Sequence, residues 1–116
     1  MARLFDSSDN QYLVSTTTPV TAAPVTIACW ANSTTITVSA AAMGIFDSGS
    51  GTQWLAYMTL SGATAGDPLR AFVRAGGIET LSGGNYAANT WHHLAQRSGS
   101  STDHEAYLDG VSIDTG

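Results

Sequence analysis

Short runs in which apolar and polar residues alternate dominate this chain, and no stretch keeps the three-and-four spacing of an amphipathic helix. The runs are rich in Val, Ile, Thr, Tyr and Trp, and clusters of Gly, Ser, Asn and Asp separate them, which is the pattern of an all-β sandwich or barrel. Strands are expected in QYLVS, PVTIACWAN, AMGIFDS, QWLAYMTL, PLRAFVRA, GIETLS, TWHHLAQR, HEAYLDG and VSID. In VTIACWA, Val25, Ile27, Cys29 and Ala31 share one face while Thr26, Ala28 and Trp30 share the other. In QWLAYMTL, Trp54, Ala56, Met58 and Leu60 oppose Leu55, Tyr57 and Thr59. Bulk on both faces predicts a central strand covered on both sides.

The punctuation between runs agrees. DSGSGTQ at 47–53 and AGG at 75–77 predict glycine-rich hairpin turns, and the Asp-Gly pair at 109–110 predicts a tight one. SGATAGDP at 61–68 makes a longer connection. STTTPVTAAP at 15–24 holds two prolines, which discourage ladder pairing, so it is expected as a loop. The alanine-rich TVSAAAMG at 37–44 is expected as a short turn of helix. There is no internal repeat.

Composition narrows the picture. The 116 residues suit one domain, 1–116, and a chain of that size buries roughly two-thirds of its unfolded surface. Four arginines, no lysine and nine acids give a net charge of −5. Nucleic acid and anionic membranes both select for clustered cations, so neither is an expected partner. Solubility rests on Ser, Thr, Asn and Gly, a composition common on extracellular and particle surfaces. Cys29 alone cannot form an internal disulfide and is expected as a small buried apolar group. MARLFDSSDNQYLV lacks the apolar core of about seven to fifteen residues that a secretory signal needs, so synthesis in the cytoplasm without the usual export is expected. No stretch reaches the roughly 20 apolar residues of a membrane-spanning helix. The Asn32 sequon carries meaning only in a secreted chain.

In order along the chain, LFDSSDNQYLVS, VTIACWAN, GIFDSGSG, LRAFVRAGG, NTWHHLAQR and AYLDGVSI resemble a laminin-G-like domain of the concanavalin A-like lectin and glucanase superfamily. TWHHLA followed at hairpin distance by YLDG is the most specific part, and the resemblance covers most of the chain. It implies an antiparallel jelly-roll β-sandwich of two sheets. Such domains continue past the YLDG hairpin, with a last strand that pairs beside the first. The C-terminal strands are therefore expected to be missing, leaving the strand around Leu4 and Phe5 without its partner. A piece of a longer protein and a sandwich completed by a neighbouring chain are level explanations.

The candidate chemistry is sparse. His92 and His93 point to opposite faces of a strand and cannot jointly hold one metal. The resemblance implies a packed, hydrogen-bonded His93, which leaves His92 exposed. Asp103 and Glu105 share a face about 7 Å apart, a distance compatible with paired glycosidase carboxylates. The E-x-D-x-x-E motif of the related laminarinase-type enzymes is nonetheless absent, so no catalytic residue is expected. Members of the superfamily bind calcium near the sandwich rim, and Asp6, Asp9, Asp47 and Asp67 are the loop acids that could take part. Core packing is expected for Trp30, Trp54 and Trp91. Tyr86, between glycine and asparagine in GGNYAAN, is expected to be exposed and, with Asn85, to contact a ligand.

These expectations add up to a non-catalytic, lectin-like sandwich. A bacteriophage protein of the virion surface, tail or capsid decoration reconciles a lectin-type fold with cytoplasmic synthesis. Its partners would be other copies of itself, other virion proteins or surface glycans. The alternative is a carbohydrate-binding fragment of a larger secreted, glycan-active protein.

Overall fold

The computed structural model describes residue 17 and residues 23–46, 54–74, 78–100 and 102–116. Eight strands occupy this set: β1 (Val25–Asn32), β2 (Ser39–Phe46), β3 (Trp54–Ser61), β4 (Leu69–Arg74), β5 (Ile78–Gly83), β6 (Trp91–Ser100), β7 (Asp103–Leu108) and β8 (Val111–Thr115). They form two antiparallel sheets of four, ordered β1-β6-β7-β8 and β2-β3-β4-β5. Contacts between β3 and β6, β4 and β7, and β5 and β8 stack one sheet face to face on the other. The described residues include no helix. The expected strand at QYLVS, the turns at 47–53 and 75–77, and the pairing of Leu4 and Phe5 lie outside the described residues.

Alternation builds the core. Ile27 from β1, Leu94 from β6, and Ala106 and Leu108 from β7 meet Met58 and Leu60 from β3, Leu69 and Ala71 from β4, and Leu81 from β5. Cys29 lies half-buried against this cluster, and burial pushes its thiol up, away from the reactive thiolate. β3 is central between β2 and β4, as its two bulky faces predict, with Thr59 and Ser61 buried on the side away from Met58. One edge of the sandwich is drawn shut where Ser82 N–H donates to Asp114 Oδ2 at 2.9 Å, linking β5 to β8.

One element differs from expectation. Residues 39–46 form a strand where 37–44 was expected to start a helical turn. Pairing with β3 supplies ladder hydrogen bonds along the segment, and a bulge between Ala41 and Met43 absorbs the irregularity. Alanine's helix propensity is worth only a fraction of a kcal/mol per residue, so tertiary pairing overrides it.

The loops at one end are knitted by Tyr86, in the connection between β5 and β6. Its N–H donates to the carbonyl of Asp67 at 3.0 Å, and its hydroxyl donates to the carbonyl of Thr35 at 3.2 Å. Gly62 makes this closure fit. A Cβ there would meet the Tyr86 hydroxyl at 2.5 Å and the carbonyl carbon and oxygen of Ile36 at 2.6 and 2.7 Å. Because two of those atoms are backbone, Gly62→Ala should cost about 1–3 kcal/mol through overpacking, read as a lower denaturant midpoint. An unchanged midpoint would show that the β1–β2 loop gives way freely.

Candidate functional site

The outward face of the β1-β6-β7-β8 sheet carries the exposed chemistry. Ile27 is buried, so the alternate residues Thr26, Ala28 and Trp30 point outward on β1. On β6, His92, Leu94, Gln96 and Ser98 are buried, which turns Trp91, His93, Ala95 and Arg97 outward. Trp30 stands directly across from His93, and Asn32 across from Trp91. The two indoles thus lie on a diagonal, about 7 Å apart at Cβ from strand geometry. Trp30 is 65% exposed and Trp91 51% exposed. The Trp30 and His93 ring centroids lie 5.2 Å apart, tilted at 58°. Beside them Ala28 faces Ala95, and Ala95 faces Tyr107 of β7. Small side chains there make a low floor between Trp30 and Tyr107.

This arrangement corrects two expectations. Trp30 and Trp91 are not core residues, because the apolar members of each strand occupy the other phase. The side chain of Trp54 lies outside the described residues. The histidines are also reversed. His92 is buried in phase with Leu94, while His93 is half-exposed beside Trp30. Asp109 accepts from the His93 N–H through Oδ1 at 2.8 Å and from His92 Nδ1 through Oδ2 at 2.7 Å. Ala87 N–H donates to His92 Nε2 at 3.1 Å, which places the imidazole proton on Nδ1. Both ring nitrogens are thereby occupied, so His92 is a fixed post at the start of β6 and not a free base.

Asp109 and Gly110 take φ values of +53° and +81°, the tight hairpin turn that the Asp-Gly pair predicts. Burial works to raise the Asp109 carboxyl. The His92 ring N–H and the His93 backbone N–H outweigh it and hold the group below its ordinary value of 3.8.

The paired acids Asp103 and Glu105 do share the outward face, and a cation and hydroxyls tie them down. Arg97 grips Asp103 through two bonds of 2.8 and 2.7 Å and lies 3.7 Å from Glu105. Ser112 donates to Glu105 at 2.8 Å. The Arg97 bond holds the Asp103 carboxyl down, and the Tyr107 and Ser112 hydroxyls do the same for Glu105. A glycosidase acid has to hold its proton near neutrality, which requires a shift in the opposite direction.

Tyr86 and Asn85 do not make a joint contact surface. Tyr86 is 1% exposed and burial pushes its phenol up, whereas Asn85 is exposed. The ring turns inward because the end of the sandwich needs an apolar plug whose hydroxyl can reach the carbonyl of Thr35. Of the acids considered for calcium, Asp67 lies in the β3–β4 loop at φ +45° and is described, while Asp6, Asp9 and Asp47 lie outside the described residues. Among the described residues no group of three or more His, Cys, Asp or Glu side chains converges.

Two stacked antiparallel sheets of four strands define a β-sandwich domain. A family model of the laminin-G type, described as the concanavalin A-like lectin/glucanases superfamily, matches residues 6–116, and the chain belongs to that family. No curated protein and no solved structure matches the chain.

Proposed function

We propose that the domain is a non-catalytic, lectin-like recognition module whose contact surface is the outward face holding Trp30, Asn32, Trp91 and His93. One observation carries this reading: two indoles stand exposed on neighbouring strands, on a diagonal completed by a polar amide and an imidazole. Indole faces suit the C–H faces of pyranose rings, and Asn32 and His93 supply hydrogen bonds for hydroxyls. The neighbouring charges are already paired as Arg97 with Asp103, which favours a neutral glycan over a charged one. For the setting, we propose a virion surface or tail component, supported by the sparse charge and the Ser, Thr, Asn and Gly-rich composition. A carbohydrate-binding part of a larger secreted protein is the alternative. Mass spectrometry of purified particles separates the two, since only the first requires the chain to be a particle component.

The test of the contact surface is tryptophan fluorescence titration against a panel of neutral polysaccharides. Trp30→Ala and Trp91→Ala should each weaken binding by about two- to twelvefold, the equivalent of roughly 0.5–1.5 kcal/mol per aromatic contact. Folding stability should stay within about 0.5 kcal/mol, as for other exposed substitutions. Wild-type protein that binds no glycan, or binding indifferent to both substitutions, would sink the proposal. Loss of self-association in the same variants would instead assign the face to contact between copies.

A further inference from the structure

Three polar side chains face inward at one end of the β6–β7 hairpin. Ser98 stands directly opposite His104, and Gln96 occupies the next inward position of β6. Gln96 and Ser98 are 1% exposed and His104 is 2% exposed. Gln96 Nε2 donates across the sandwich to the carbonyl of Phe72 on β4 at 3.1 Å. Gln96 Oε1, Ser98 Oγ and both ring nitrogens of His104 have no hydrogen-bond partner among the described residues. Native interiors rarely leave such atoms unpaired, and ordered water is the usual partner when protein supplies none. The four atoms belong to three neighbouring inward positions of the β6–β7 ladder.

The chemistry of the atoms identifies the ligand. Glu79, on the inward face of β5, places Oε2 3.5 Å from His104 Nε2. A carboxylate on that side favours the tautomer with its proton on Nε2, which leaves Nδ1 as an acceptor. Gln96 Oε1 is a second acceptor, and the Ser98 hydroxyl can donate. Two acceptors and one donor are the complement of a water molecule, which gives two protons and accepts one. An anion would meet acceptors and the Glu79 carboxylate. A transition metal would lack the third nitrogen, sulfur or carboxylate ligand that such sites use.

We propose that the sandwich encloses one bound water, accepting from Ser98 Oγ–H and donating to Gln96 Oε1 and His104 Nδ1. The water completes a polar link between the sheets. It runs from Phe72 on β4 through Gln96 and the water to His104, whose Nε2 lies 3.5 Å from the Glu79 carboxylate of β5. Hydrogen bonding takes over there from the apolar packing of Leu94 and Met58.

Two measurements test it on the unmodified protein. A high-resolution crystal structure should show a water at hydrogen-bonding distance from all three atoms, without anomalous signal. Nitrogen-15 NMR of the imidazole should find His104 protonated at Nε2 and bare at Nδ1. Ser98→Val, which puts a methyl group where the water accepts, should abolish the density; should that variant not fold, the wild-type results decide alone. A dry site with His104 Nδ1 bonded directly to Ser98, an Nδ1-protonated ring, or anomalous scattering from a metal would each overturn the proposal.

Discussion

Replacing Tyr86 by alanine should destabilise the domain by about 3–5 kcal/mol, the range for removing a buried aromatic ring. The ring is fully enclosed and touches His92 edge-on, with centroids 6.3 Å apart. Its loss empties the plug under three loops at once: 33–38, 62–68 and 84–90. The hydroxyl contributes separately. Tyr86→Phe keeps the plug and removes only the hydroxyl, with its bond to the carbonyl of Thr35 and its interactions with Ser33 and Gly62, so about 1–2 kcal/mol is expected. The two variants, compared by urea unfolding, separate packing from hydrogen bonding. A domain has only about 5–15 kcal/mol in total, so the alanine variant should be close to unfolding at physiological temperature. If Tyr86→Ala instead kept its stability and lost glycan binding, the ring would be a contact residue after all.

Asp109→Asn should cost about 1–3 kcal/mol and should also blunt the acid sensitivity of the fold. Asparagine tolerates the positive φ of the turn, so the hairpin itself survives. The amide, however, offers one acceptor where two donors converge, His92 Nδ1–H and the His93 N–H. One of them loses its bond, and the His92 donor is buried. The sign of the pH effect follows from the depressed Asp109 carboxyl. Its stabilisation is fully present above the unfolded value near 3.8 and is lost as pH falls through the lower folded value. Asp103 and Glu105, also depressed, act in the same direction, so wild-type stability should fall steadily below about pH 4. In acid titrations of the melting temperature, Asp109→Asn should show a shallower decline than wild type. An identical slope would show that Asp109 is not linked to folding. Because Asp109 also holds the N–H of His93, the same variant should weaken glycan binding if the proposed recognition face is correct, without Asp109 itself touching the glycan.

Much of this was legible in the residues. The alternation in VTIACWA puts Trp30 on the face opposite Ile27, and that phase is the one observed. Tryptophan's size points to the core, and the phase of the strand overrides it. In TWHHLAQR the same rule works once Arg97 is taken as the solvent-side marker, because Trp91 and His93 share its parity. The same parity turns His92 inward with Leu94, but its hydrogen-bond partners, Asp109 of the β7–β8 turn and Ala87 of the β5–β6 loop, are not written in that alternation. Tyr86 shows the converse: flanking glycine and asparagine describe the local backbone, not what the loop covers.

What the sequence alone determined was strand identity, the tight turn at Asp109 and Gly110, and the inward and outward phases. These follow from two-residue periodicity and left-handed turn chemistry, which act over a few bonds. The tertiary structure decided which polar groups are buried, that the two indoles become diagonal neighbours, and that residues 39–46 extend and do not coil. Each of those depends on cross-strand register and sheet stacking, where the free energy comes from partners on other strands, from under ten to more than sixty residues away, and local pattern carries no record of them.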